Sequence, residues 1–163
     1  MSDIKELNIF KDLTIDQTKA SKEFINWLDA PYEGFHFVLS GNAGSGKTFL
    51  STRFLKLVEE KKLCWTVVAP THKAVEVLKS ALRLKDLRPT WYPSTIHRLL
   101  RLKLKRKGDL EICEETDLTS NSLEQLQLVL IDESSMIDSK LLEIVIRCSH
   151  QSRTRLVFVG DPA

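Results

Sequence analysis

Apolar residues in this chain gather in short solid runs, and between the runs they recur every three or four positions. Residues 35–40, Phe-His-Phe-Val-Leu-Ser, read as a strand that stops at glycine, and Lys47–Glu60 carries apolar residues at helical spacing. The alternation repeats: Trp65–Ala69 reads as a strand before a helix over 73–84, 128–132 as a strand before a helix over 139–146, and Arg155–Gly160 as a last strand. Strands that are apolar almost throughout, with helices between them, imply a parallel sheet covered on both faces, since each crossover helix packs on one face. The fold class is α/β. Ahead of the first strand, residues 14–28 have helical periodicity, with Thr14 as N-cap and Gln17 placed to complete a capping box.

Residues 91–127, between the second and third of these strands, are too many for a simple connection. Within them, 101–115 alternates polar and apolar positions around Gly108, which predicts a small β-hairpin inserted into the core. A three-residue loop, Arg106-Lys107-Gly108 with Gly108 left-handed, sets Leu104 against Leu110 and Leu102 against Ile112. The same register opposes Lys103 to Glu111 and Lys105 to Asp109. A two-residue loop at Lys107-Gly108 would set Leu104 against Glu111, so the apolar pattern selects the longer loop. The stretch 117–122 reads as a flexible link back to the core. The chain thus divides into a first part over 1–90, an inserted segment over 91–127 and a remainder over 128–163.

Composition narrows the class without naming a partner. With 42% hydrophobic and 28% charged residues the 163-residue chain is an ordinary globular domain, and no run approaches the roughly 18 apolar residues of a membrane span. The first ten residues carry acids and no apolar signal segment, so a cytoplasmic location is expected, with no membrane partner. Cys64, Cys113 and Cys148 are far apart with no paired spacing, which fits reduced, partly buried thiols rather than a disulfide framework or a zinc site. A net charge of +2 means that any nucleic-acid binding must rest on a local surface.

The chemistry is concentrated at two strand ends. Gly41-Asn42-Ala43-Gly44-Ser45-Gly46-Lys47-Thr48 matches G-x-x-x-x-G-K-T directly after a strand and at the opening of a helix. Glycines let successive backbone N–H groups converge on phosphate oxygens, and the helix N-terminus adds the positive end of its dipole. Lys47 is expected to reach the terminal phosphates and the Thr48 hydroxyl to coordinate Mg²⁺, with Phe49 next to the loop, so ATP and Mg²⁺ are the expected cofactors. Asp132 and Glu133 end an apolar strand, where ligands of open α/β sheets bind. Asp132 is expected to hold the metal through water and Glu133 to polarise the attacking water; an Asp in that place could also only cap its turn. Asp161, just past the last strand, is placed to approach the γ-phosphate.

With these motifs in place the chain resembles the N-terminal motor domain of a superfamily 1 DNA helicase, of the RecD-like and Dda-like 5′-to-3′ group, over nearly all of 12–163. The resemblance implies a RecA-like P-loop NTPase fold. Leu13-Thr14-Ile15-Asp16-Gln17 is similar to the Q motif, in which Gln17 would read the adenine edge, although the same glutamine serves a capping box. Ala69-Pro70-Thr71-His72-Lys73-Ala74-Val75 resembles motif Ia, and Ser94-Thr95-Ile96-His97-Arg98-Leu99-Leu100 the T-x-H-x-x-L segment of this group. Pro70, Thr71, His72, Thr95, His97 and Arg98 would then line a single-stranded DNA track; by chemistry alone Thr71 could be a helix N-cap and His97 an ordinary histidine. Asp132-Glu133-Ser134-Ser135-Met136-Ile137 resembles motif II, Gly160-Asp161-Pro162 the opening of motif III, and the hairpin the 1B pin, here with no aromatic at its tip. Arg98, Arg101, Arg106 and Lys107 are the basic residues expected to touch phosphate.

A motor of this group also needs a second RecA-like domain of the same polypeptide, whose arginine completes the ATP site. Such an arginine is worth about 10³ to 10⁵ in rate, so this stretch, expected to be a monomer, would bind ATP but turn it over weakly. Two other readings stay open. A nucleotide or small-molecule kinase also uses a phosphate loop, although adjacent Asp132 and Glu133 suit water activation better; a switch without catalysis would use ATP only to alter a docking surface.

Overall fold

The computed structural model describes residues 9–42 and 46–161. In chain order these form α1 (Ile15–Asp29), β1 (Phe37–Ser40), α2 (Lys47–Glu60), β2 (Trp65–Ala69), α3 (His72–Leu84), β3 (Ser94–Thr95), α4 (Ile96–Leu99) and the strands β4 (Lys103–Lys107) and β5 (Leu110–Glu114). Then come β6 (Leu128–Ile131), a 3₁₀ turn (Ser134–Met136), α5 (Ser139–Ser152) and β7 (Arg155–Gly160). Five strands make one parallel sheet in the order β1-β7-β6-β2-β3, and β4 and β5 pair separately as an antiparallel hairpin. The expected α/β architecture, with helices on both faces, is what forms.

Alternate residues of the buried strands feed two cores, one on each face, as the period of two along a strand requires. Val67, Leu130 and Val157 face α1, α2 and α3, whereas Val68, Val129 and Leu156 face α4 and α5. On the first face Phe24 of α1 is fully buried, stacked on Phe54 of α2 at 4.0 Å between ring centroids and edge-on to Phe37 of β1 at 5.3 Å. α1 begins as the sequence implies, with the Thr14 hydroxyl accepting from the Gln17 N–H at 3.2 Å and the Gln17 side-chain oxygen accepting from the Thr14 N–H at 3.0 Å. Its end is closed from a distance: the Arg155 guanidinium donates to the carbonyls of Trp27 and Ala30, satisfying last-turn acceptors that have no helical partner.

Three features differ from expectation. The hairpin pairs Leu104 with Cys113, Arg106 with Glu111 and Lys107 with Leu110 around the two-residue loop Gly108-Asp109, not around a three-residue loop. Its ion pairs change accordingly, Lys105 with Glu114 at 2.8 Å and Arg106 with Glu111 at 3.4 Å. The reason is that β4 is exposed along its whole length, so pairing leucines brings no burial that could select a register. Turn chemistry decides instead: Gly108, at φ +64°, is the first loop residue, the place a type II′ turn reserves for glycine.

Second, the stretch 117–122 is packed down rather than loose. Thr119 is fully buried, its hydroxyl accepts from the Thr116 N–H at 2.9 Å, and its carbonyl accepts from the Ser122 hydroxyl and from the Cys148 thiol of α5. Third, Ser94 and Thr95 add a short fifth strand to the main sheet beside Val68 and Ala69 of β2, and α5 runs to Ser152, a turn and a half beyond its expected end. The three cysteines are free thiols, Cys148 buried and the other two half-buried.

At the edge of the sheet the His36 ring stacks on His150 with centroids 5.6 Å apart and meets Phe158 edge-on. Burial, and then the charge of His150, hold the His36 pKa below its ordinary value. A depressed histidine pKa contributes stability that is present above the unfolded value, about 6.5, and lost as pH falls through the folded one. Thermal stability is therefore expected to decline on acidification below about pH 6.5, and the decline to be shallower in His36→Phe, as melting curves between pH 7.5 and 5 would show.

Candidate nucleotide site and the adjoining cleft

Because all five strands run the same way, every C-terminal strand end lies along one edge of the sheet, and the candidate residues follow that edge in strand order. Gly41 follows β1, Asp161 follows β7, Asp132 follows β6, Pro70 follows β2 and Ile96 follows β3. Phosphate-type residues occupy the β1, β7 and β6 end, and the two Thr-His pairs occupy the β2 and β3 end.

Of the phosphate loop, Ala43, Gly44 and Ser45 lie outside the described residues, and Asn42 is exposed. Gly46 caps α2 in the left-handed region at φ +83°, and a Cβ there would stand 2.8 Å from Nε2 of Gln17. Glycine is thus favoured by backbone conformation, and any side chain there would have to push the Gln17 amide aside. The Gln17 side-chain oxygen closes the capping box while its amide nitrogen lies beside Gly46.

The Lys47 ammonium donates to the Gly41 carbonyl and to the Asp161 carboxylate, tying together the ends of β1 and β7. The lysine side chain is 15% exposed and that of Asp161 59%, so the ammonium is largely withdrawn from water while its carboxylate partner remains open to solvent. Asp132, one strand further, is half-buried, and desolvation raises its carboxyl pKa despite the Glu133 N–H and the Lys47 charge, which pull it down. Glu133 is exposed in the left-handed region at φ 50°, ψ 40°, where it starts the 3₁₀ turn. Non-glycine residues hold such a conformation only when their surroundings enforce it. Here the surroundings are close: a Cβ on Gly160 of β7 would lie 2.7 Å from the Ser134 hydroxyl and 3.1 Å from the Ser135 nitrogen. Gly160 lets the turn press against β7, a requirement the sequence pattern alone did not signal.

Thr48 and Asp132 line one small crevice between α2 and β6. A hydroxyl and a carboxylate on one crevice are the donor types that suit Mg²⁺, which keeps most of its waters and is completed by substrate phosphates rather than by a full protein cage. No cluster of three or more metal-ligating His, Cys, Asp or Glu side chains occurs among the described residues. Asp132→Asn is expected to divide two properties. A carboxyl whose folded pKa is raised favours folding only below its unfolded pKa, about 3.9, and that contribution is lost as pH rises through the folded value. At neutral pH the ionised Asp132 therefore weighs against folding, so the variant should melt at a higher temperature while losing the Mg²⁺ dependence of nucleotide binding, read by melting curves and by titration with and without Mg²⁺.

At the other end of the edge, both threonines prove to be helix N-caps. The Thr71 hydroxyl accepts from the Ala74 N–H at 3.2 Å and the Thr95 hydroxyl from the Arg98 N–H at 3.3 Å. Each cap sets the next one or two residues at the first turn of its helix, which directs His72 and His97 into a common cleft of about 550 Å³. Pro70 and Thr95 share its wall; the hairpin supplies Leu104, Glu111 and Cys113, and the start of α5 supplies Asp138 and Lys140. Thr71 and Arg98 are not part of that wall. Arg98 faces a second cavity, with its guanidinium 5.5 Å from the ring centre of Tyr92. Sequence reasoning passed over Trp91 and Tyr92 in that cavity, although two adjacent large aromatics in a polar connection were the available signal.

A phosphate loop at the first strand, carboxylates at the ends of the next two, and a five-stranded parallel sheet define a P-loop nucleotide-binding domain of RecA-like form. The chain belongs to the family described as AAA domain, whose model matches residues 31–163, and it is similar to helicases of the RecD and Pif1 kinds. It is 33% identical to an uncharacterised protein of Acanthamoeba polyphaga mimivirus, over 91% of this chain and 32% of that protein. It is 31% identical to the RecBCD enzyme subunit RecD of Haemophilus influenzae, over 77% of this chain and 21% of that subunit. The crystal structure of a Bacteroides Pif1 bound to ssDNA superposes with a TM-score of 0.57 at 22% identity, covering 92% of this chain and 32% of that one. The chain thus spans about a third or less of the length of these relatives.

Proposed function

We propose that this chain is the ATP-binding motor domain of a DNA helicase that couples ATP hydrolysis to 5′-to-3′ movement on single-stranded DNA. The observation that carries this reading is the sharing of one sheet edge: the Lys47, Asp132, Glu133 and Asp161 cluster at β1, β7 and β6 continues into the His72 and His97 cleft at β2 and β3. Nucleotide chemistry and a strand-sized cleft on one rigid element can respond to each other; a kinase would need an acceptor pocket beside the phosphates instead.

In this reading the backbone of 41–48 cradles the phosphates, with Asn42, Ala43, Gly44 and Ser45 in the loop and Phe49 behind it, and Lys47 neutralises their terminal oxygens. Gln17 turns its amide toward the adenine. Thr48 and Asp132 would hold Mg²⁺, which supplies charge neutralisation of the phosphates when bound. Glu133, exposed at its strained turn, orients the attacking water, and Asp161 senses the γ-phosphate through Lys47. Pro70, His72, Thr95 and His97 border the DNA strand, Thr71 acts only by capping the helix that carries His72, and the segment 91–127 serves as the small inserted subdomain. A second RecA-like domain of the same polypeptide closes the other wall of the site.

The test is DNA-stimulated ATP hydrolysis by the full-length polypeptide, with and without Lys47→Ala. Stimulation by single-stranded DNA that disappears in the variant is expected; stimulation that survives it overturns the mechanism.

A further inference from the structure

The second cavity, about 360 Å³, shares no lining residue with the His72 and His97 cleft, and the nucleotide and motor reading does not use its walls. Its floor is a pair of aromatic rings: Trp91 and Tyr92 are stacked with centroids 5.2 Å apart and 28° between their planes, and remain 41% and 49% exposed. These rings are not on a loose loop. The Trp91 and Tyr92 carbonyls accept from the Thr66 hydroxyl at 2.7 and 3.4 Å, and the Thr90 N–H donates to the Trp65 carbonyl at 2.9 Å, which staples the backbone beneath them to β2. Large apolar rings held rigidly and left half in water are uncommon without a partner to cover them.

The polar groups around the rings say which partner. Arg98 and Arg101 line the cavity, Arg98 leaning over the Tyr92 ring, and no carboxylate is among the lining residues. Neither arginine makes an ion pair among those given for the described residues, in contrast to Lys105 and Arg106 of the hairpin, which are matched to Glu114 and Glu111. Amides of Asn121 and Gln125 complete the rim. Exposed aromatic rings beside guanidinium groups that no carboxylate neutralises are the combination that single-stranded nucleic acid requires: a base stacks on a ring and its phosphate meets the arginine. A protein segment would have to bring its own acids to match the two arginines, whereas every nucleotide carries one.

We infer that the Trp91 and Tyr92 platform with Arg98 and Arg101 is a second contact site for single-stranded nucleic acid, taking a base by stacking and its phosphate by charge. The site is separate from the cleft of His72 and His97, and it relocates Arg98 from that track to this one.

The experiment is a titration of this chain with fluorescein-labelled (dT)12 and (rU)12, read by anisotropy at 50 mM and 200 mM salt. Base stacking is worth about 1–3 kcal/mol by truncation, so Tyr92→Ala should weaken binding roughly 5- to 150-fold, while Tyr92→Phe, which keeps the ring, should bind as the parent does. Arg98→Gln should lower the steepness of the salt dependence by about one unit. Binding of a fluorescent ATP analogue should be unchanged in Tyr92→Ala, which shows the domain folded and separates this site from the nucleotide reading. Equal affinity of Tyr92→Ala and the parent for both oligonucleotides overturns the inference, as does absence of measurable binding by the parent at low salt. A preference between the two probes identifies the sugar the site accepts. Weakening in His72→Ala alone, with Tyr92→Ala silent, would assign all binding to the first cleft and reject the second.

Discussion

Lys47→Ala is expected to weaken ATP binding by roughly 30- to 1,000-fold, corresponding to the about 2–4 kcal/mol lost when one partner of a desolvated charge contact is removed. The expectation rests on where the ammonium sits. Its side chain is mostly shielded from water, and it donates to the Gly41 carbonyl and to the exposed carboxylate of Asp161. A triphosphate would compete for the same ammonium with several negative oxygens against one carboxylate. The alanine removes that ammonium but leaves Asp161 and the carbonyl of Gly41 in place, both of which repel phosphate. Affinity should therefore fall further than the loss of a surface lysine, which is worth about 1 kcal/mol or less. Equilibrium titration with a fluorescent ATP analogue measures it, and a loss of less than about threefold would mean that the phosphates lie elsewhere. Folding should be affected little, since the lysine's partners are at the open edge of the sheet; matching melting temperatures verify that the loss is one of binding.

The sequence carried the core of this fold because buried parallel strands leave a signature that needs no context. Trp65–Ala69 and Arg155–Gly160 are apolar apart from Thr66 and Arg155, and both are strands with the bounds the pattern implies. The glycine loop and the Asp132-Glu133 pair could be read for the same reason, being tied to strand ends by motif and spacing. What escaped lies where burial does not choose. The hairpin is solvent-exposed on β4, and its register followed the glycine turn rather than the leucines. Ser94 and Thr95 form a strand only because β2 offers an open edge, and two polar residues show no period of their own. The fully buried Thr119 looks like a loop residue until Cys148 and Ser122 are seen to satisfy its carbonyl. Within the site, the pattern showed the capping role of Gln17, but that its amide nitrogen lies beside Gly46 was visible only once α1 was placed.

That placement of α1 makes Phe24→Ala the substitution expected to cost the most stability, about 3–5 kcal/mol, the usual range for truncating a fully buried phenylalanine. The ring is wholly inaccessible, stacked in parallel on Phe54 and edge-on to Phe37, with Trp27 tilted beside it at 5.7 Å. Its removal loses transfer free energy and also opens a cavity walled by three rings on two helices and a strand, rigid neighbours that cannot readily collapse inward. For a domain of this size about 2–4 °C in melting temperature accompanies each kcal/mol, which predicts a fall of roughly 6–20 °C. Phe24→Leu, which keeps most of the volume, should lose less than half as much. Urea denaturation distinguishes the two, and a loss below about 1 kcal/mol in the alanine variant would show that α1 does not belong to the cooperative core. The functional consequence follows from geometry: Phe24 is one of the residues pinning α1 to α2, the helix that begins at Gly46, and Gln17 lies two turns before it on the same helix. At temperatures where the variant is still folded, the register between Gln17 and the phosphate loop should loosen first. Discrimination of ATP from other nucleoside triphosphates should then decline before affinity for the triphosphate itself does, a sequence that competition binding with GTP and CTP would display.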